Sequence, residues 1–277
     1  MNYSTTVNNI RPVTHQRLLF FRIPAFETAT NLRHAIFTRS GGVSPAPYHS
    51  LNLSTATGDT PEHVAKNLQL ACGALGLEAD QMTTCHLVHG TRVIRVMAIN
   101  QSNKVDQADS LISNTPGVYL FMRFADCTPL LFFDPIARAV GLAHAGWRGT
   151  LKNAAGATVG AMVERLGCQA HNIIAVIGPA IGPCCYEVGA EVIEAVETKF
   201  EAVEKLLSHR NQRSQHAHFN LWEANRQQLE TAGVKQIIQT NFCTACHRDK
   251  FFSHRADKGS TGRFGVVLGF DAEGMPA

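Results

Sequence analysis

Three short segments of this chain set metal-ligand side chains beside glycines or tight turns. They are His86-Leu87-Val88-His89-Gly90, Ala125-Asp126-Cys127-Thr128-Pro129 and His144-Ala145-Gly146-Trp147-Arg148-Gly149. Histidine and cysteine are the donors zinc favours, and a catalytic zinc keeps three protein ligands with a fourth position open. His89, Cys127 and His144 are therefore candidate ligands of one ion. Sequence spacing alone does not bring them together, and buried histidines and cysteines that only pack would look the same. The third segment carries a second possible chemistry. A strand ends at His144, two glycines let the backbone turn, and a helix is expected from Thr150, so backbone N–H groups and the fixed charge of Arg148 would suit an anion. Trp147 as a core anchor with Arg148 in a surface ion pair is the competing explanation.

Other candidates are less ordered. The run from Ile177 to Gly189 is rich in Gly and Pro and reads as a shaped loop entering a helix. Its adjacent Cys184 and Cys185 are awkward partners for one ordinary zinc and are expected to pack as wall. Cys243 and Cys246 form a CxxC, but a structural zinc needs two further ligands, and only His247 and His254 lie close in sequence. His86 and His89 make an HxxH, in which His86 would face a substrate or support the site. His216 and His218 sit in a polar stretch without a companion cluster.

The elements that must hold these residues follow from periodicity. Apolar runs predict strands at Ala35–Thr38, Val93–Met97, Val118–Phe124, Leu130–Phe133, Ala139–Ala143, Ile173–Ile177, Val234–Gln239 and Phe264–Phe270. One helix starts at Thr60 with Pro61 in its first turn. A second runs from Thr150 to Gly167, a third carries Val188, Val192, Val196 and Phe200, and a fourth has Asn220 as N-cap with Gly233 beyond its end. Strands and helices mix without a regular βα repeat, which predicts an α+β fold.

Composition narrows the class. The 277 residues, 45% hydrophobic and 17% charged, suit one globular domain over 1–277, with residues 1–20 as a possible loosely ordered extension. The formal net charge of +3 is scattered rather than striped, which argues against nucleic acid as a partner. No apolar run reaches signal-peptide or membrane-span length, so a cytoplasmic, membrane-free protein with thiol rather than disulfide cysteines is expected.

With these residues assembled, the chain resembles the YfiH-like family, variously called multicopper polyphenol oxidases or purine nucleoside phosphorylases. The likeness runs from Phe37 to Phe270. It includes Phe37-Thr-Arg-Ser-Gly-Gly-Val43, Gly58-Asp59, Val88-His-Gly-Thr-Arg-Val93, Ala108-Asp-Ser110, Ala125-Asp-Cys127, His144-Ala-Gly-Trp-Arg-Gly149, Ile177 to Gly189, Cys243-Thr244, Phe251-Phe-Ser-His-Arg255 and Thr261-Gly-Arg263. The resemblance implies a catalytic zinc on His89, Cys127 and His144 and a layered αββα domain with packed sheets between helices. It also implies phosphorolysis of adenosine, inosine and methylthioadenosine, with hydrolytic deamination of adenosine at the same site. Two positions depart: His86 stands where the family usually has Gln, and Asn220 where it often has Asp.

On this basis the expected partners are purine nucleosides and phosphate. Arg148 and Arg39 are candidates to hold phosphate, with Arg255 behind them, and Asp126 or Glu187 to move protons. Arg39, His86 and Arg255 are placed as substrate contacts. The expected metal content is one zinc per chain. Copper is the alternative cofactor, in a laccase-like polyphenol oxidase, although 13 histidines without paired HxH clusters do not suit a four-copper enzyme. A hydrolase using Cys127 with His144 as its base is a further alternative, and an interaction module is the non-enzyme one.

Overall fold

The computed structural model describes residues 9–97, 104–211 and 215–272. In chain order its strands are β1 (Arg11–His15), β2 (Leu18–Arg22), β3 (Leu32–Phe37), β4 (Met82–His86), β5 (Val93–Arg95), β6 (Lys104–Gln107), β7 (Ser110–Ser113) and β8 (Tyr119–Phe124). They continue as β9 (Thr128–Asp134), β10 (Ala139–Ala145), β11 (Ile174–Ile177), β12 (Glu187–Val188), β13 (Leu207–Asn211), β14 (His216–Phe219), β15 (Gln236–Gln239) and β16 (Phe264–Phe270). The helices are α1 (Pro61–Gly73), α2 (Trp147–Leu151), α3 (Ala154–Leu166), α4 (Ala190–Lys199), α5 (Val203–Leu206) and α6 (Leu221–Thr231).

Side-chain alternation along the strands explains the layering. In β8, Tyr119 and Phe121 face one core while Leu120, Met122 and Phe124 face another. In β9, Leu131 and Phe133 join that second core, and Leu130 and Phe132 point into a third. A two-residue period with both faces apolar requires cover on both sides. The seven-stranded sheet, in order β1-β2-β3-β16-β8-β4-β6, thus packs one face on α1 and the other on the six-stranded sheet β15-β11-β9-β10-β7-β5. The outer face of the six-stranded sheet is covered by α3 and α6. This is the layered αββα arrangement. A third sheet, β12-β14-β13, adds to the helical side.

Several expectations take a different form. Residues 11–22 form a paired hairpin that edges the large sheet, so the loose extension expected over 1–20 does not include them; Leu18, Phe20 and Phe21 are buried and order it. Residues 1–8 lie outside the described residues. The helix expected from Thr150 begins earlier, at Trp147, and breaks at Asn153, whose φ of 65° is left-handed and whose side chain caps α3 by accepting from Gly156 N. Val188 belongs to β12 rather than to the third helix, and His216 and His218 lie on β14 rather than in an open polar stretch. Thr60 and Asn220 cap their helices as expected, accepting from His63 N and Glu223 N.

Candidate metal centre

The three ligand segments meet where the chain passes between the two large sheets. β4 runs out through His86 into the turn that carries His89. The connection from β8, in one sheet, to β9, in the other, is the three-residue turn Ala125-Asp126-Cys127. His144 lies near the end of β10, whose register sets it opposite Pro129, two residues past Cys127. The ligand atoms of His89, Cys127 and His144 all lie within 4.8 Å of one another, and the two imidazoles meet edge to face with centroids 4.9 Å apart. His144 is buried, Cys127 half-buried and His89 exposed, so the cluster opens on one side. Two turns reach this geometry through left-handed backbone, at His89 (φ 57°) and Asp126 (φ 84°).

Asp109, immediately before β7, organises the cluster. Its Oδ1 accepts from His89 N at 2.9 Å and its Oδ2 from Gly90 N at 2.6 Å, fixing the turn. The same Oδ1 lies 3.2 Å from His144 Nδ1, and its carbonyl accepts from His144 N at 2.8 Å. A carboxylate on Nδ1 leaves Nε2 as the basic donor, the arrangement metal-bound histidines commonly use. Burial pushes the Asp109 carboxyl up, but the bonds from His144, Gly90 and His89 outweigh it and hold the group below the ordinary carboxylate range. Asp109 carries no role in the sequence-based expectations. Its signal is the Ala108-Asp109-Ser110 motif, which the resemblance includes without a role for the aspartate.

Electrostatics and space fit a cation. Burial pushes the Cys127 thiol up, yet the His144 charge and bonds from both histidines bring it down to about 6. Burial likewise depresses His144, and the Cys127 sulfur and Asp109 raise it to about 9. Between those values the pair is a thiolate beside an imidazolium, and a cation bound here would take the place of the imidazolium proton. Gly146 supplies the room: a Cβ there would meet Cys127 Sγ at 2.9 Å and His89 Cδ2 at 3.3 Å.

The other expected site residues fall into three groups. Arg148 is exposed, its guanidinium 4.1 Å over the Trp147 ring and 3.6 Å from Glu191. α2 is only five residues long, so the anion argument rests on the arginine more than on a helix dipole. Arg255 lies 5.2 Å over Tyr186 and donates to the Glu187 carbonyl at 2.7 Å. Tyr186, which sequence reasoning missed, feels the charges of Cys127, Arg255, Asp126 and Arg148, after burial the main influences on its hydroxyl. Asp126 does not have the free carboxylate a proton carrier needs: Oδ1 accepts from Thr244 Oγ1 and Oδ2 from Arg255 N, both at 2.6 Å. Glu187 is exposed, 3.4 Å from His216. Arg39 belongs to a separate depression, spending Nε on the His49 carbonyl and Nη1 on the Arg248 carbonyl, with Phe252 beneath it. His86 is exposed at the end of β4. Arg263, from the Thr261-Gly-Arg263 motif, is half-buried and feels the charges of Cys127 and Asp126, which places another cation beside the centre.

Residues 33–271 match the family model described as multi-copper polyphenol oxidoreductase laccase. The chain belongs to this family. Relatives include a purine nucleoside phosphorylase of Deinococcus radiodurans, 39% identical over 236 residues, covering 85% of this chain and 88% of that one. The purine nucleoside phosphorylase YfiH of Escherichia coli is 38% identical over 237 residues, covering 83% and 90%. Among solved structures, YlmD from Geobacillus stearothermophilus superposes with a TM-score of 0.86 at 33% identity, over 94% of this chain and 99% of that one. The YfiH protein of Bacillus licheniformis superposes at 0.87 and 32% identity, over 95% and 100%. Homologues named for phosphorolysis thus sit in a family named for copper chemistry, and an enzyme of the nucleoside phosphorylase kind is supported at the family level.

Proposed function

We propose that this chain is a zinc-dependent purine nucleoside phosphorylase acting on adenosine, inosine and methylthioadenosine, with adenosine deamination at the same centre. The observation that carries this is the three-donor cluster of His89, Cys127 and His144, braced by Asp109, left roomy by Gly146 and open on one side. Two imidazoles and one thiolate are a borderline-soft set of the kind catalytic zinc uses. The paired-histidine clusters of a multi-copper enzyme have no counterpart here: among the described residues the groups able to hold a metal are this one and a set of four cysteines. A zinc ion held here supplies Lewis acidity at one open position.

The chain's own groups do the rest. Phosphorolysis joins inorganic phosphate to the sugar and releases the base, so a dianion must be held while the leaving base gains a proton. Arg148 and Arg255 border the Tyr186 wall of the centre and hold phosphate. Glu187, its carboxylate exposed on that wall, moves the proton. Asp126 ties the Cys127 turn to Thr244 and Arg255 and so positions rather than reacts. Arg39, turned toward backbone carbonyls, supports the loop at His49. His86 shapes the entrance to the centre.

The test follows inosine and adenosine with phosphate by chromatography of base and sugar phosphate, beside elemental analysis. Cys127→Ala is expected to lose one zinc per chain and at least ~100-fold in kcat/KM, about 2.7 kcal/mol of transition-state stabilisation. Arg148→Ala is expected to raise the KM for phosphate about tenfold and leave deamination near wild type. Full phosphorolysis by Cys127→Ala would sink the assignment. Equal losses of both reactions in Arg148→Ala would remove Arg148 from phosphate binding.

A further inference from the structure

Outside this centre lies a second cluster of soft donors. The Sγ atoms of Cys184, Cys185, Cys243 and Cys246 all fall within 4.8 Å of one another. Cys246 Sγ lies 3.5 Å from Cys184 Sγ and 3.4 Å from Cys185 Sγ. These are not disulfide distances, which are about 2.05 Å, and all eight cysteines are free thiols. They are close to the edge of a tetrahedron whose corners sit ~2.3 Å from a central zinc, an edge of ~3.8 Å. An iron–sulfur cluster, which places several atoms between its cysteines, needs them farther apart.

The backbone is arranged for such an ion. Adjacent cysteines normally point apart, but residues 183–185 form a turn in which both Cys185 N and Tyr186 N donate to the Gly182 carbonyl, at 3.0 and 2.9 Å. That turn brings both sulfurs to one side. Gly182 N donates to Cys243 Sγ at 3.2 Å, and the Cys246 backbone N–H also bonds that sulfur. N–H donors on a ligating sulfur offset the negative charge that four thiolates carry. The β-bridge between Ala180 and Cys243 holds the two loops in register.

We propose that Cys184, Cys185, Cys243 and Cys246 bind a single zinc ion in a closed, structural four-thiolate site. Both loops it joins reach the catalytic turn: Ile181 N donates to the Asp126 carbonyl at 2.9 Å and Thr244 Oγ1 to the Asp126 carboxylate at 2.6 Å. The ion staples the Tyr186 wall to the segment that positions Cys127. The inference does not depend on the nucleoside chemistry of the other centre.

The experiment uses the full chain purified without added metal. Wild type is expected to hold two zinc ions per chain, and Cys127→Ala one, released when a mercurial blocks the remaining thiols. Cobalt loaded into Cys127→Ala in place of zinc is expected to give the intense sulfur-to-metal absorption of a tetrahedral thiolate site. Cys127→Ala combined with Cys246→Ser should lose both the ion and the absorption. If that double variant fails to fold, Cys184→Ser at an exposed position serves the same purpose. One zinc in wild type with none in Cys127→Ala would overturn the proposal. So would iron in place of zinc, a thiol count in Cys127→Ala short by two or more, or cobalt-loaded Cys127→Ala without thiolate absorption.

Discussion

At the scale of single residues, Asp109 concentrates the most consequence in the fewest atoms. Its two carboxylate oxygens serve the His89 turn and the His144 ring together, so Asp109→Asn would replace an acceptor of four N–H groups, those of Val88, His89, Gly90 and the His144 ring, by an amide with one acceptor oxygen. The expected outcome is ~10–100-fold weaker metal affinity with the chain still folded, read by chelator competition beside circular dichroism. Unchanged affinity would mean that the strands alone orient the ligands. The HxxH invites a second comparison. His86 and His89 are both exposed, yet only His89 lies in the cluster. His86→Gln should keep its metal and its activity, with altered preference among nucleosides, whereas His89→Gln should lose both. Metal lost from the first and kept by the second would reverse the reading of the pair.

At the scale of elements, strand β3 carries a buried histidine whose protonation opposes folding. His34 Nε2 accepts from Ile23 N at 2.8 Å, and burial, with Arg22 nearby, holds its pKa down to about 4. An unfolded histidine titrates near 6.5. Between these values the unfolded chain takes up a proton that the folded chain refuses, so stability is full above ~6.5 and falls as pH drops toward 4. The loss reaches about 3 kcal/mol, with no further slope from this group below that. The difference in urea stability between wild type and His34→Gln should therefore shrink as pH is lowered from 7 to 4.5; a difference independent of pH would show that His34 is not the titrating group. Elements with a strong period were legible in sequence: Phe264–Phe270 has the predicted bounds, because seven buried residues leave no other structure open to it. Polar β4, with its Met-Thr-Thr-Cys-His, and the four-residue β7 were not, since their partners, not their own pattern, make them strands. The meeting of His89, Cys127 and His144 was legible through the motifs that carry them. Asp109 was not, and neither was the meeting of Cys184 and Cys185 with Cys243 and Cys246, because a vicinal pair reads as poor ligation until a turn at Gly182 aims both sulfurs one way.

At the scale of the whole molecule, the candidate metal centre of His89, Cys127 and His144 sits on the seam of a sandwich. His89 leaves a strand of one sheet, His144 stands on a strand of the other, and Cys127 lies in the turn that joins them. An ion bound to all three cross-links the layers, so removing it should speed unfolding more than it slows refolding, if the seam closes after the folding transition state. Stopped-flow unfolding in denaturant, with and without chelator, measures this; equal unfolding rates would mean that the ion bridges nothing the core does not already hold. The same placement makes the centre a gauge of alignment. Phe133 packs edge-on against Phe26 and Phe270 between the sheets, with ring centroids 5.4 and 6.1 Å away. A smaller side chain there would let one layer settle against the other, and three donors that tolerate little displacement would feel the shift as lost affinity. Metal affinity then becomes a ruler for the fit of two sheets at positions that never approach the ion.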